Sequence, residues 1–203
     1  MAHMPDLTFE RAAMARGFAL IAGVDEVGRG PLAGPVAAAA VILDPDNLPL
    51  GVADSKALSA KRRDALCDEI FARALGVSVA LVEAAEIDRI NIRQAAHAAM
   101  RRALAGLALR ADYALIDGSD LPADLGCAGE TIVKGDAKSL SIAAASIVAK
   151  VTRDRLMARM HLRFPAYGFD RHAGYGTKAH LAAIAAHGPC PLHRMSFAPL
   201  KRL

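Results

Sequence analysis

The sequence predicts an α/β fold, a mixed sheet covered by helices. Short apolar runs of strand length alternate with longer segments of helical periodicity. The first two runs are joined by a hairpin-length loop, and the later ones alternate with helices, a combination that calls for a sheet of mixed direction.

In chain order, residues 19–24 are apolar and β-compatible, and residues 35–43 form a second apolar run, so the Gly/Pro-rich stretch between them links two strands. The proline-containing segment 44–51 ends the second strand. Ser59 has the character of an N-cap, and residues 60–75 carry Leu66 and Ile70 at helical spacing among charges. A strand is expected at 77–82, an Ala-rich helix at 91–109, a strand at 113–116 ending on Asp117 and Gly118, and a short strand at 131–133. The strongest helix signal runs from 139 to about 162, with Leu140, Ala144, Ile147, Val148 and Val151 on one stripe, and a shorter helix follows at 177–186. The Gly/Pro/His-rich tract 164–176 reads as a separator before a small helical C-terminal part. Residues 1–17 read as an N-terminal segment opening on an expression-tag-like MAHM, and 18–203 as a single domain.

Composition limits the class. With 203 residues, 54% apolar, 23% charged and no tryptophan, the chain is too apolar for disorder and long enough to bury a core. The longest apolar run, 36–43, is far short of the roughly 18 residues of a membrane span, so the expectation is a cytoplasmic protein without membrane contact. Cys67, Cys127 and Cys190 are odd in number and widely spaced, which supports neither a disulfide framework nor a zinc site. The net charge of +4 suits a phosphate-bearing partner without identifying one. The 45 alanines favour helices and close packing.

Residues 23–36, GVDEVGRGPLAGPV, are the densest signal. Asp25 and Glu26 close an apolar strand, and neighbouring side chains on a strand serve one site only where the strand ends and the backbone turns. The glycines do not make a nucleotide loop: the spacing misses GxGxxG, no GK[ST] follows, and the segment leads into a strand. Asp117 also ends a strand, where open sheets place ligands, although taken alone an Asp-Gly turn is its commoner explanation. Asp154 lies on the border of the apolar helix stripe, where a carboxylate must be paired or hold a cation; Lys150, four residues earlier, is the alternative partner. Four acids converging from two strand ends and a helix would repel one another and suit hard divalent cations, which activate water and stabilise a leaving oxygen. Lys56, in Asp54-Ser-Lys56, is either a phosphate contact or part of a solvated turn. His172, His180, His187 and His193 lack ligand spacing and read as surface or structural residues. Tyr175, between two glycines, either stacks on a sugar or base or packs in its loop.

Taken together, residues 23–36, the DSKAL at 54–58, Asp117-Gly118, the KGD at 134–136, the IAAASIVAK at 142–150, Arg153-Asp154, the segment 167–177 and the HRMSF at 193–197 resemble the bacterial ribonuclease HII family, in order, over residues 18–198. The resemblance implies a ribonuclease H-like fold with a five-stranded mixed sheet. It implies cleavage of RNA in RNA/DNA hybrids and on the 5′ side of single ribonucleotides in duplex DNA, leaving 3′-hydroxyl and 5′-phosphate ends, with Mg²⁺ or Mn²⁺. Carried onto this chain, the metal-binding acids are Asp25, Glu26, Asp117 and Asp154. Gly28, Arg29 and Gly30 match the turn that senses the 2′-hydroxyl, Tyr175 the tyrosine that stacks on the next deoxyribose, and Lys56 a phosphate contact; Ser139 and Lys150 are weaker candidates for substrate contact or positioning. A monomer without a clamp-binding tail is expected. The departures are Cys190 in its Gly-Pro-x-Pro turn and Ala57 after Lys56. The competing readings are a non-catalytic nucleic-acid-binding protein and another nuclease of the same fold.

Overall fold

The computed structural model describes residues 4–52, 55 and 58–202. Its centre is a five-stranded mixed sheet of β1 (Ile21–Val27), β2 (Val36–Ile42), β3 (Gly76–Val82), β4 (Tyr113–Asp117) and β5 (Ala128–Ile132), ordered β3-β2-β1-β4-β5. The first three strands pair antiparallel, whereas β4 and β5 join β1 in parallel. Seven helices are described: α1 (Thr8–Ala15), α2 (Ala60–Arg73), α3 (Ala84–Ile90), α4 (Ile92–Ala105), α5 (Leu140–Arg163), α6 (Phe169–His172) and α7 (Lys178–His187).

Alternation along the strands divides the core. Ala22, Val24, Ala38, Ala40 and Ile42 pack on one face against the alanine-rich side of α4. Ala39 and Val41 pack on the other face against Leu66, Cys67 and Ile70 of α2 and Ala143–Ala145, Ile147 and Val148 of α5. Small side chains let the helices approach closely, and at Gly23 the approach is closest: a Cβ there would lie 2.1 Å from the carbonyl carbon of Ser141. Ser59, Asn91, Ser139 and Thr177 each accept a hydrogen bond from a first-turn amide of the helix they precede.

The sheet and helix succession agrees with the expected architecture, and several boundaries differ. β1 extends through the two acids to Val27, and β5 starts at Ala128. The helix expected at 91–109 is preceded by a separate α3; between them Asn91 takes a φ of 67°, which a continuous helix excludes. The N-terminal segment contains α1, whose Ala13 and Phe9 pack against Ile21, Tyr113 and Leu115. The tract 164–176 is not a separator: Phe169 is fully buried in a cluster with Leu32, Ala33, Met157, Tyr167 and Ile184, so aromatic burial outweighs the Gly/Pro punctuation. Among the described residues no helix is long and apolar enough to cross a membrane. All three cysteines are free, and burial pushes the Cys67 thiol up to about 11, as an inert thiol requires.

Candidate active site

β1 and β4 are parallel neighbours whose pairing stops at Val24 and Ile116, so Asp25 and Asp117 are the next residues on adjoining strands. Gly23, Leu115 and both aspartates share the face that α5 covers, and Glu26 turns to the α4 side. The two acids of β1 therefore lie within the strand, still in register with Ala39 and Ala38 of β2. They reach one site because β4 ends beside them, not because β1 does, which corrects the strand-end expectation.

Asp25, Glu26 and Asp117 line a cavity of about 380 Å³ together with Ser55, Ser146, Lys150 and Tyr175. Burial raises the Asp25 carboxyl well above its ordinary range, and the charges of Glu26 and Asp117 raise it further; bonding to Ser146 and to the Glu26 amide offsets this in part. The Glu26 amide donates to Asp25 Oδ1 at 2.7 Å. Burial also raises Glu26, against the pull of Arg29, whose Nη1 lies 3.2 Å from Glu26 Oε1. Asp117 Oδ1 accepts from the Gly135 amide at 2.6 Å.

Asp154 stands apart from these three. Its side chain is 34% exposed and paired with Lys150 Nζ at 2.9 Å, on the edge of an adjoining cavity of about 540 Å³ that also contains Arg63, Arg155, Arg171, His172 and Tyr175. The expected buried carboxylate is thus a half-exposed ion pair, and Lys150 and Tyr175 border both cavities. Among the described residues no three His, Cys, Asp or Glu groups form a ready-made metal cluster. The donor set nonetheless fits hard divalent cations. It consists of carboxylate oxygens, crowded enough to raise Asp25, and a cation relieves that repulsion.

The turn after β1 is next to this cavity. Gly28 has a φ of 92°, and a Cβ there would collide with Arg153 Nε, so only glycine fits. Gly30 lies beside the Tyr175 ring, where an added Cβ would be 3.7 Å from Cε1, and Tyr175 is 43% exposed. Arg29, Glu26 and Asp117 continue into a further polar cavity with Arg93, His97 and Asp120.

Other expectations fare differently. Lys56 lies outside the described residues. Ser139 is fully buried as the N-cap of α5 and donates its hydroxyl to Glu10 at 2.6 Å, which takes its side chain out of reach of a substrate. Of the four histidines, His180 and His193 are buried and joined at 3.1 Å, a structural pair. Sequence reasoning missed Ser146, whose hydroxyl meets that of Ser55 at 2.9 Å beside Asp25; its only signal is a polar residue inside an apolar stripe. It also missed two fully buried arginines, Arg153 and Arg194.

The fold finds its counterpart in the ribonuclease H2 of Pyrococcus horikoshii OT3, superposable with a TM-score of 0.78 over 91% of this chain and 96% of that one, at 26% identity. The five-stranded mixed sheet flanked by helices is thus that of the ribonuclease H class of proteins. The ribonuclease HII family model matches residues 22–200. The ribonuclease HII of Rhizobium meliloti is 58% identical over 100% of this chain and 93% of its own length, and that of Sinorhizobium fredii is 60% identical over 98% and 85%. The chain belongs to the ribonuclease HII family and is a ribonuclease H hydrolase, an endonuclease for RNA paired with DNA. A more distant structure of the same fold, a ribonuclease HIII at 21% identity and TM-score 0.73, was solved in complex with Mn²⁺.

Proposed function

We propose that the protein cuts the phosphodiester on the 5′ side of a ribonucleotide, in RNA/DNA hybrids and at single ribonucleotides in duplex DNA, with a divalent cation, Mg²⁺ or Mn²⁺, as cofactor. The observation that carries this reading is the placement of Asp25, Glu26 and Asp117 around one cavity bordered by the Gly28–Gly30 turn and by Tyr175. The carboxylates of Asp25, Glu26 and Asp117 would hold the cations, with Asp154 joining once Lys150 gives way to a cation or moves to a phosphate. The chemistry that bound cations supply is activation of water and charge stabilisation at the leaving oxygen. Arg29 offsets the charge of Glu26. The Gly28–Gly30 backbone, without side chains at its two glycines, lets a ribose approach closely enough for its 2′-hydroxyl to meet main-chain groups. Tyr175 offers a ring for the neighbouring sugar, so the two elements together would demand an RNA-to-DNA junction.

The test is incubation of a labelled duplex carrying one ribonucleotide with Mg²⁺, with Mn²⁺ and with chelator, alongside an all-DNA control. A cation-dependent cut confined to the ribonucleotide duplex is expected. Equal cutting of the control would overturn the 2′-hydroxyl reading, and no cutting with either cation would favour a binding protein. Tyr175→Ala should weaken junction preference more than duplex affinity; unchanged preference would reduce Tyr175 to a packing residue.

A further inference from the structure

Arg153 and Arg194 are fully buried, and neither guanidinium is paired with a carboxylate among the described residues. A buried charge without a counter-charge is costly and persists where it is fully hydrogen-bonded. Burial pushes Arg194 down to about 9, with the charge of Arg153 adding to the effect. Their partners are main-chain carbonyls, and five of the six belong to the segment after β1. Arg194 donates Nη2 to Gly28 O at 2.6 Å, Nη1 to Arg29 O at 3.0 Å and Nε to Gly34 O at 2.9 Å. Arg153 donates to the carbonyls of Pro35, Ala33 and Ala173 at 2.9, 3.2 and 2.9 Å. The Arg194 main chain adds a bond from its amide to Leu32 O at 2.8 Å.

This arrangement fixes the direction of specific amides. In a trans peptide the C=O of one residue and the N–H of the next point in opposite directions. A guanidinium that draws the Gly28 and Arg29 carbonyls inward therefore turns the N–H groups of Arg29 and Gly30 outward. Among the described residues neither of these amides has a protein acceptor. Two adjacent, unsatisfied donors on one turn are what a hydroxyl or phosphate oxygen needs, and they are oriented before any ligand arrives.

We propose that Arg194 is a positioning residue for ribose recognition: from the C-terminal segment it locks the Gly28–Gly30 turn with its Arg29 and Gly30 amides facing the substrate, and so sets discrimination between ribose and deoxyribose without touching the nucleic acid. The inference rests on the proposed function, because it assigns the 2′-hydroxyl to that turn. It ties the C-terminal segment to specificity, and Arg153, next in sequence to Asp154, anchors the far end of the same segment.

The experiment compares wild type with Arg194→Lys, which keeps the charge but cannot fork to three carbonyls, and Arg194→Met, which keeps much of the volume. Affinities are measured in chelator for a duplex carrying one ribonucleotide and for its all-DNA counterpart, and kcat and KM are measured with Mg²⁺. For folded variants the expected result is a loss of about tenfold or more in kcat/KM, carried mainly by kcat, with the ribo/deoxy affinity ratio collapsing toward one and all-DNA affinity within about threefold of wild type. Lys should do no better than Met, because geometry rather than charge is lost. A folded Arg194→Lys with an unchanged ratio overturns the proposal. If both variants unfold, amide order parameters of Gly28, Arg29 and Gly30 in the free wild type decide: values near 0.85 support a locked turn, and values below about 0.6 overturn it. A wild type without ribose preference would instead refute the proposed function.

Discussion

Asp25 concentrates the conflict on which the site depends. It is 7% exposed, and both burial and its acidic neighbours oppose its ionisation. Between the ordinary carboxyl value of 3.8 and the raised native value, the folded chain keeps a proton that the unfolded chain has released. Cation-free stability therefore falls as pH rises through that window. Asp25→Asn removes the charge and preserves the shape. In chelator at pH 8 it should melt at or above the wild-type temperature, with the difference vanishing below pH 4; scanning fluorimetry across pH reads this, and a melting point several degrees lower would contradict it. Cleavage should nonetheless fall by more than about 100-fold, since even groups that only support metal ligands cost 10–100-fold when lost. Most of this residue-level picture was legible in the sequence, because acids next to glycines on an apolar strand have few structural explanations. Arg153, Arg194 and Ser146 were not legible: a lone arginine or serine in a sequence carries no sign of which distant carbonyl or carboxylate it will meet.

At the scale of elements, the packing of α5 on β1 places Ser146 and Lys150 beside the strand acids and Asp154 on the edge of the adjoining cavity, and Gly23 sets its distance. Gly23→Ala would drive a methyl into the Ser141–Ile142 backbone, where no flexible side chain can give way. The expected loss is about 3 kcal/mol, at the upper end for overpacking, measured by urea unfolding; a change below about 0.5 kcal/mol would show that the helix moves freely. The C-terminal helices depend on a polar relay. The Cys190 amide donates to His193 Nδ1 at 2.9 Å, His193 Nε2 meets His180 Nε2 at 3.1 Å, and His180 Nδ1 donates to the Tyr175 carbonyl at 2.9 Å. The relay requires both rings neutral, and burial brings His193 down to about 4. Because the unfolded chain takes up this proton near pH 6.5 and the folded chain only near 4, stability falls as pH drops through that interval. His193→Gln should flatten the decline of melting temperature between pH 6.5 and 4, and an identical slope would show that the relay does not set it. The strand and helix order was readable from periodicity; α1, α3 and the burial of α6 were not, since short segments carry too little periodicity and their stability comes from contacts distant in sequence.

For the molecule as a whole, the larger cavity, lined by Arg63, Lys150, Arg155 and Arg171 among Asp64, Asp154 and Asp170, meets the acid cavity at Lys150 and Tyr175 and is the path proposed here for a duplex. Affinity should fall with salt as counterions compete, with a slope of roughly −0.9 per phosphate contacted. Arg171→Ala should weaken binding to all duplex sequences alike and reduce that slope by about 1; an unchanged slope would place the duplex elsewhere. In the proposed function this path, the acids and the Gly28–Gly30 turn form one site that reads a ribose and cuts before it. The deciding measurement is the position of the cut at nucleotide resolution, on a duplex with one internal ribonucleotide and both strand ends labelled. One product should end in a 3′-hydroxyl on the preceding deoxynucleotide and the other should begin with the 5′-phosphorylated ribonucleotide. A cut on the 3′ side of the ribonucleotide, or cuts scattered through the deoxynucleotides, would contradict that function.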